Sequence, residues 1–211
     1  MKKIFALILT AALFSALSIS TVAAETKSKT LIVYFSLHKN QEHILTDADS
    51  SASRTLWHGE IHGNNDILAQ LIAGKIGGAD IIALETAEKY DDDRYGVVRQ
   101  QAKNEQAKKT RVALKTKVNA RGYENIIIGY PNWWNDMPRA MYTFFEETDL
   151  SGKNVYLYTS TLGSGFSRTI SEIEKLAPKA KVNKNGLNVA SSRVANADKE
   201  IDSWLVKVGL K

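Results

Sequence analysis

Five times along the chain, a short unbroken apolar run rich in β-forming residues is followed by a stretch patterned as a helix. No other feature restricts the fold as much. The runs are Leu31–Phe35, Asp80–Leu84, Asn125–Tyr130, Asn154–Thr159 and the weaker Leu187–Ala190. An apolar run without polar alternation belongs to a strand buried on both faces, as in a parallel sheet. Between the runs, Asp66–Ile76 places Ile67, Leu68, Leu71, Ile72 and Ile76 on one stripe and stops at Gly77-Gly78. Asp92 to about Leu114 reads as a polar helix or helix pair. Pro138–Glu147 carries Met141, Phe144 and Phe145 behind a proline in the first turn. Ser167–Ala177 halts before Pro178, and Asp198–Val208 carries Ile201, Trp204, Leu205 and Val208. This alternation predicts an α/β fold: a doubly wound parallel sheet with helices on both faces. Ligands of such sheets sit at the carboxyl ends of the strands. The loops after Phe35, Tyr130 and Thr159 therefore carry the functional expectation.

The first of these loops starts at Ser36 and reaches a helix start at Gly63-Asn64-Asn65-Asp66. Glycine admits close backbone approach, and asparagine caps helices well. The free N–H groups and positive end of that helix, with the Ser36 hydroxyl and the Asn64 and Asn65 amides, suit a phosphate; a capped helix with nothing bound is the plainer alternative. The second loop, Tyr130-Pro131-Asn132-Trp133-Trp134-Asn135-Asp136-Met137-Pro138, sets two adjacent indoles between two prolines. It suits a flat aromatic ligand lying on an indole face, or else both rings pack beneath the loop. The third, Thr159-Ser160-Thr161-Leu162-Gly163-Ser164-Gly165-Phe166, offers successive backbone N–H groups to an anion or a ring oxygen. Its alternative is a flexible connection. It is not a dinucleotide fingerprint, because it lacks the third glycine and follows the fourth strand.

These residues resemble those of the flavodoxin-like family that binds flavin mononucleotide (FMN). The carriers are Leu31–Ser36, Gly63-Asn64-Asn65, Gly129-Tyr130-Pro131-Asn132-Trp133-Trp134 and Thr159–Gly165, and Tyr90–Glu105 fits the family's second helix. The resemblance spans roughly residues 30–208, and the Tyr-Pro-x-Trp-Trp loop is its most specific part. It implies a five-stranded sheet of order 2-1-3-4-5 and FMN held non-covalently. It also implies roles. Ser36, Gly63, Asn64 and Asn65 would hold the phosphate. Pro131, Asn132, Trp133 and Trp134 would border the isoalloxazine. Thr159, Ser160, Leu162, Gly163, Ser164 and Gly165 would line its pyrimidine edge. Electron transfer, or a small flavin-dependent oxidoreductase activity, would follow. Such a reductase would take hydride from a nicotinamide and serve a redox partner protein or a small acceptor such as a quinone. The chain departs from the pattern in two places: Leu37–His62 intervene between Ser36 and Gly63, and Asn65 stands where threonine is usual.

All four histidines, His38, His43, His58 and His62, lie in that insertion, with Glu42, Asp47, Asp49 and Glu60 nearby. His58 and His62 are spaced for one helix face and a metal ion, but Gly59 and Gly63 disfavour the helix. A polar flap near the phosphate is the simpler expectation, and no metal ligands are assigned. A module of the same fold that has lost FMN, with metal bound by the insertion, is the rival reading.

Lys2-Lys3, the uncharged stretch Ile4–Leu17 and the small residues Val22-Ala23-Ala24 form the three-part pattern of a secretory signal peptide over residues 1–24. The apolar stretch is shorter than the ~20 residues of a spanning helix, so the chain is expected to be exported, periplasmic or secreted, without stable membrane insertion. An uncleaved anchor is the alternative. Residues 25–211 then form one domain with 37–62 as an insertion. The chain has no cysteine, which excludes disulfides, thiolate metal sites and cysteine nucleophiles. Its formal charge of +5 falls to +3 once Lys2 and Lys3 are removed, a modest excess that does not call for nucleic acid. Lys103, Lys108, Lys109, Arg111, Lys115 and Lys117 form a basic run that reads as a solvated helix face, or as a dock for an acidic redox partner or an anionic membrane surface. No serine sits in a nucleophile elbow and the histidines share one segment, so no catalytic triad is expected.

Overall fold

The computed structural model describes residues 29–42, 53–91 and 95–211. The candidate signal peptide, His43, Asp47 and Asp49 lie outside the described residues. In chain order the strands are β1 (Thr30–Phe35), β2 (Arg54–Trp57), β3 (Glu60–Gly63), β4 (Asp80–Leu84), β5 (Asn125–Pro131), β6 (Asn154–Thr161), β7 (Lys181–Val182) and β8 (Leu187–Ala190). The α-helices are α1 (Asn64–Lys75), α2 (Tyr95–Ala107), α3 (Arg139–Glu147), α4 (Thr169–Leu176) and α5 (Asp198–Val208).

The main sheet runs β4-β1-β5-β6-β7, and β8 also pairs with β6; every pairing is parallel. The five expected strands take the expected order, with β7 as a two-residue addition below β8 on the same edge of β6. The pleat divides the core. Leu31, Val33 and Phe35 of β1, with Ile126, Ile128 and Tyr130 of β5, face Val98 of α2, Met141 and Phe144 of α3 and Ile173 of α4. Ile32 and Tyr34, with Ile127, face Ile67, Leu68 and Ile72 of α1 and Ile201, Trp204 and Leu205 of α5. Both faces of β1 and β5 are thus covered, which explains their unbroken apolar runs. Gly129 lets β5 and β6 close up: a Cβ there would stand 1.9 Å from the Tyr158 ring. Tyr158 is wholly buried and its hydroxyl donates to the Asn65 carbonyl at 3.1 Å, fixing the start of α1 against β6.

Three expectations are corrected. The stretch from Asp92 to Leu114 is not one long helix: α2 stops at Ala107, and residues 110–124 contain no helix. The basic run is therefore not a single helix face. Of its members only Lys103 lies on α2. Arg111 instead reaches Glu146 and Lys117 reaches Glu147, tying this segment to α3. Finally, β6 extends through Thr161, so Thr159 and Ser160 belong to the strand and are buried, not part of an open loop. The described part of the insertion holds an antiparallel hairpin, β2 with β3, in which Arg54 pairs with Gly63.

Candidate functional site

At the carboxyl ends of β5 and β6 the structure opens a cavity of about 300 Å³. Pro131, Asn132, Trp133 and Trp134 line one side, and Ser160, Thr161, Leu162 and Ser164 line the other. Leu37 and Ser53 lie at one end, and Val98, Arg99 and Ala102 of α2 with Asn135 complete the wall. The volume stands at the lower end of the range for small-molecule sites.

The tryptophan loop is a tight turn. Trp133 N–H donates to the Asp136 carbonyl at 2.7 Å and Asp136 N–H returns a bond to Trp133 at 3.0 Å. The two central residues, Trp134 and Asn135, have φ of 54° and 60°. Positive φ at both is the signature of a type I′ turn, a costly conformation for tryptophan. Asp136 pins the turn from beneath. Its buried carboxylate accepts from Arg168 at 2.9 Å, from the Tyr142 hydroxyl at 3.0 Å and from Met137 N–H at 2.9 Å. Burial, then the Asp136 charge, pushes the Tyr142 hydroxyl up to about 12.

This turn separates the two indoles. Trp133 points inward and meets Phe35 edge-on at 5.4 Å and Tyr90 at 5.7 Å. Trp134 turns outward and is 41% exposed. Its Nε1–H donates to the Arg99 carbonyl at 3.2 Å, while the Arg99 and Lys103 cations lie 5.4 and 5.5 Å from its ring. Opposite, Leu162 is 74% exposed, an apolar side chain held at the cavity mouth. Gly163 and Gly165 have φ of 131° and 56°, conformations that keep the Leu162–Gly165 loop tight. Asn132 Nδ2 bridges the two loops, donating to the Gly165 carbonyl at 2.7 Å and to Ser167 Oγ at 2.9 Å.

The four residues expected to hold a phosphate have a different setting. Ser36, Gly63, Asn64 and Asn65 do meet at the end of β1 and the start of α1, despite the intervening segment: a Cβ on Gly63 would stand 2.1 Å from Ser36 Oγ. All four are buried, however, and none lines the cavity. Asn64 N–H donates to the Ser53 carbonyl at 2.9 Å, and Gly63 N–H donates to Asp66 Oδ2 at 3.3 Å. Asn64 Nδ2 donates to Ser160 Oγ at 3.1 Å, and Asn65 Nδ2 donates to the Phe35 carbonyl at 3.2 Å. Burial raises the Asp66 carboxyl above its ordinary range, against the pull of Ser36, Lys39, Gly63 N–H and the Tyr34 hydroxyl.

Of the expected residues, Pro131, Asn132, Trp133, Trp134, Ser160, Leu162 and Ser164 therefore line one cavity; Thr159, Gly163 and Gly165 support it from behind or beside it. Thr159 spends its hydroxyl on the Tyr130 carbonyl at 2.6 Å. Sequence reasoning missed Leu37, Ser53, Arg99 and Thr161. The α2 contribution follows from helix spacing, since Val98, Arg99 and Ala102 share a face. Nothing in the sequence placed that helix over the tryptophan turn. Among the described residues, no group of three or more His, Asp or Glu side chains is placed to hold a metal ion. His38 and His62 approach with ring centroids 6.4 Å apart, and burial, then the Lys39 and Arg54 charges, lowers the His38 imidazole to about 4.

A doubly wound α/β sheet with an aromatic-walled cavity at the switch between neighbouring strands defines the flavodoxin class of fold. The sequence profile of the flavodoxin family matches residues 62–208, and the chain belongs to that family. Among solved structures, a protein from Bacteroides eggerthii classed with the flavoproteins superposes with a TM-score of 0.63 at 23% identity, covering 87% of this chain and 99% of its own. A counterpart from Bacteroides uniformis gives 0.59 at 26% identity, covering 85% and 98%. A flavoprotein in complex with FMN from Lactobacillus acidophilus gives 0.55 at 19% identity, covering 84% and 98%. No curated protein matches the chain.

The site fits FMN at one end only. The indole of Trp134, the Leu162 side chain and the backbone of Ser160–Gly165 suit a flat heterocycle with polar edges. The phosphate end fits poorly as it stands, because the N–H groups of Gly63 and Asn64 and the side-chain amides of Asn64 and Asn65 are bonded within the protein and a buried carboxyl lies among them.

Proposed function

We propose that this chain is an exported flavodoxin-like protein that binds a flavin of the FMN type non-covalently and serves in electron transfer or as a small flavin-dependent oxidoreductase. The observation that carries this reading is the cavity between Trp134 and the Ser160–Ser164 segment, at the strand ends where this fold takes its ligand. The flavin, once bound, would supply the redox chemistry. The chain's residues would place and shield the ring. Trp133, seated on Phe35 and Tyr90, gives the cavity a rigid wall. The Gly163–Gly165 backbone would meet the polar edge of the heterocycle, and Asn132 holds that loop at a fixed distance from the tryptophan turn. Arg99 and Lys103 make the mouth cationic beside an exposed indole. That rim suits an acidic redox partner or a quinone bearing negative charge.

Purification of the protein after expression, followed by its visible spectrum before and after incubation with FMN, tests the reading. A flavin band that co-purifies or is acquired, with quenched flavin fluorescence, supports it; a colourless protein that leaves FMN fluorescence unchanged sinks it in favour of a cofactor-free interaction module. Export is supported by the Lys2–Ala24 pattern. The exported product is expected to begin at Glu25 by mass spectrometry, and a mass retaining Met1 in that fraction would refute cleavage.

A further inference from the structure

We propose that this protein recognises a flavin through its ring, that the phosphate adds little to affinity, and that the phosphate end is closed by the chain's own Ser53 and Asp66. The inference rests on the flavin reading above. Three observations carry it. First, four of the donors at the start of α1 are engaged within the protein. Asn64 N–H is bonded to the Ser53 carbonyl and Gly63 N–H to Asp66, while the amides of Asn64 and Asn65 serve Ser160 and Phe35. Second, two of the unpartnered buried side-chain atoms there have the wrong polarity. Asn65 Oδ1 and Asp66 Oδ1 are buried oxygens without a hydrogen-bond partner, and both are acceptors that a phosphate cannot satisfy. The Ser36 hydroxyl also lacks a well-formed bond, but it faces the Asp66 carboxyl. Third, the cavity touches Ser53 and Ser160, while Ser36, Gly63, Asn64 and Asn65 are not among the described residues that line it.

A dianionic phosphate placed here would have to displace Ser53 from Asn64 and sit beside a buried carboxyl. Repulsion between like charges in a site of low dielectric is large. The ring, by contrast, enters a cavity already formed. The insertion supplies the plug. Ser53 opens the β2–β3 hairpin, and the pairing of Arg54 with Gly63 holds its carbonyl over the first turn of α1.

The test is a fluorescence titration of the full-length exported protein with riboflavin and with FMN under one buffer. A phosphate held by two or three charge-assisted hydrogen bonds would favour FMN by about 100-fold or more. Here the two dissociation constants are expected to agree within about threefold. The substitution Asp66→Asn, which removes the charge and keeps the shape, is expected to tighten FMN relative to riboflavin by about tenfold. FMN binding 100-fold more tightly than riboflavin to the wild type would overturn the inference and leave the flavin reading standing. Binding of neither would overturn both. The wild-type ratio alone decides the matter if the variant fails to fold.

Discussion

Trp133 and Trp134 are neighbours in sequence with opposite environments, and the difference comes from a turn that forces positive φ on Trp134 and Asn135. Trp133 is a structural residue. Its replacement by alanine empties the space against Phe35 and Tyr90 and should cost about 3 kcal/mol of stability in urea unfolding. Trp134→Ala should change stability by less than about 1 kcal/mol, since the ring is exposed and alanine meets the same positive φ, yet it should weaken flavin binding. Equal destabilisation by the two substitutions would contradict this division. His38 supplies a pH dependence. Burial lowers its imidazole from 6.5 to about 4, so between those values the unfolded chain binds the proton and the folded chain does not. Its contribution to stability is present above pH 6.5 and is lost as the pH falls towards 4. His38→Gln should flatten the stability profile within that window. An unchanged slope in chemical denaturation at several pH values would show that His38 is not the group responsible.

At the scale of elements, the parallel sheet depends on the close approach of β5 and β6. Gly129→Ala would drive a methyl group into the Tyr158 ring, which also anchors α1 through Asn65. Thermal unfolding should show a loss of about 2 kcal/mol or more, and a neutral effect would mean that Tyr158 can swing aside. The elements were largely legible in the sequence. β8 and α5 fall on the expected residues, and β1 and β5, whose runs are buried on both faces, differ by a single residue at one end. The stretch after Ala107 was not legible. Its lysines and arginine are compatible with a helix, but ion pairs to α3, backbone bonds to Glu85 and Ala87 and the packing of Leu114 into the core hold it otherwise. The β2–β3 hairpin also escaped, since Arg54–Trp57 is short and lacks the alternation that marks a strand.

For the molecule as a whole, the site was legible by location and only partly by residue. The rule that ligands sit at the carboxyl ends of strands selected loops that line the cavity. It could not show that Thr159 and Ser160 continue the strand, that α2 brings Arg99 to the cavity, or that Ser53 and Asp66 close the expected phosphate cradle. Those facts depend on side-chain and backbone partners remote in sequence. The family assignment comes from a profile covering residues 62–208, and the segment 37–62 expected as an insertion lies almost wholly outside that span. The most direct test is a crystal structure of the protein grown with saturating flavin. The account predicts an isoalloxazine between Trp134 and the Ser160–Ser164 segment, with Ser53 still bonded to Asn64 when the flavin lacks a phosphate. A cavity without flavin density at saturation, or a ring bound elsewhere on the molecule, would contradict it.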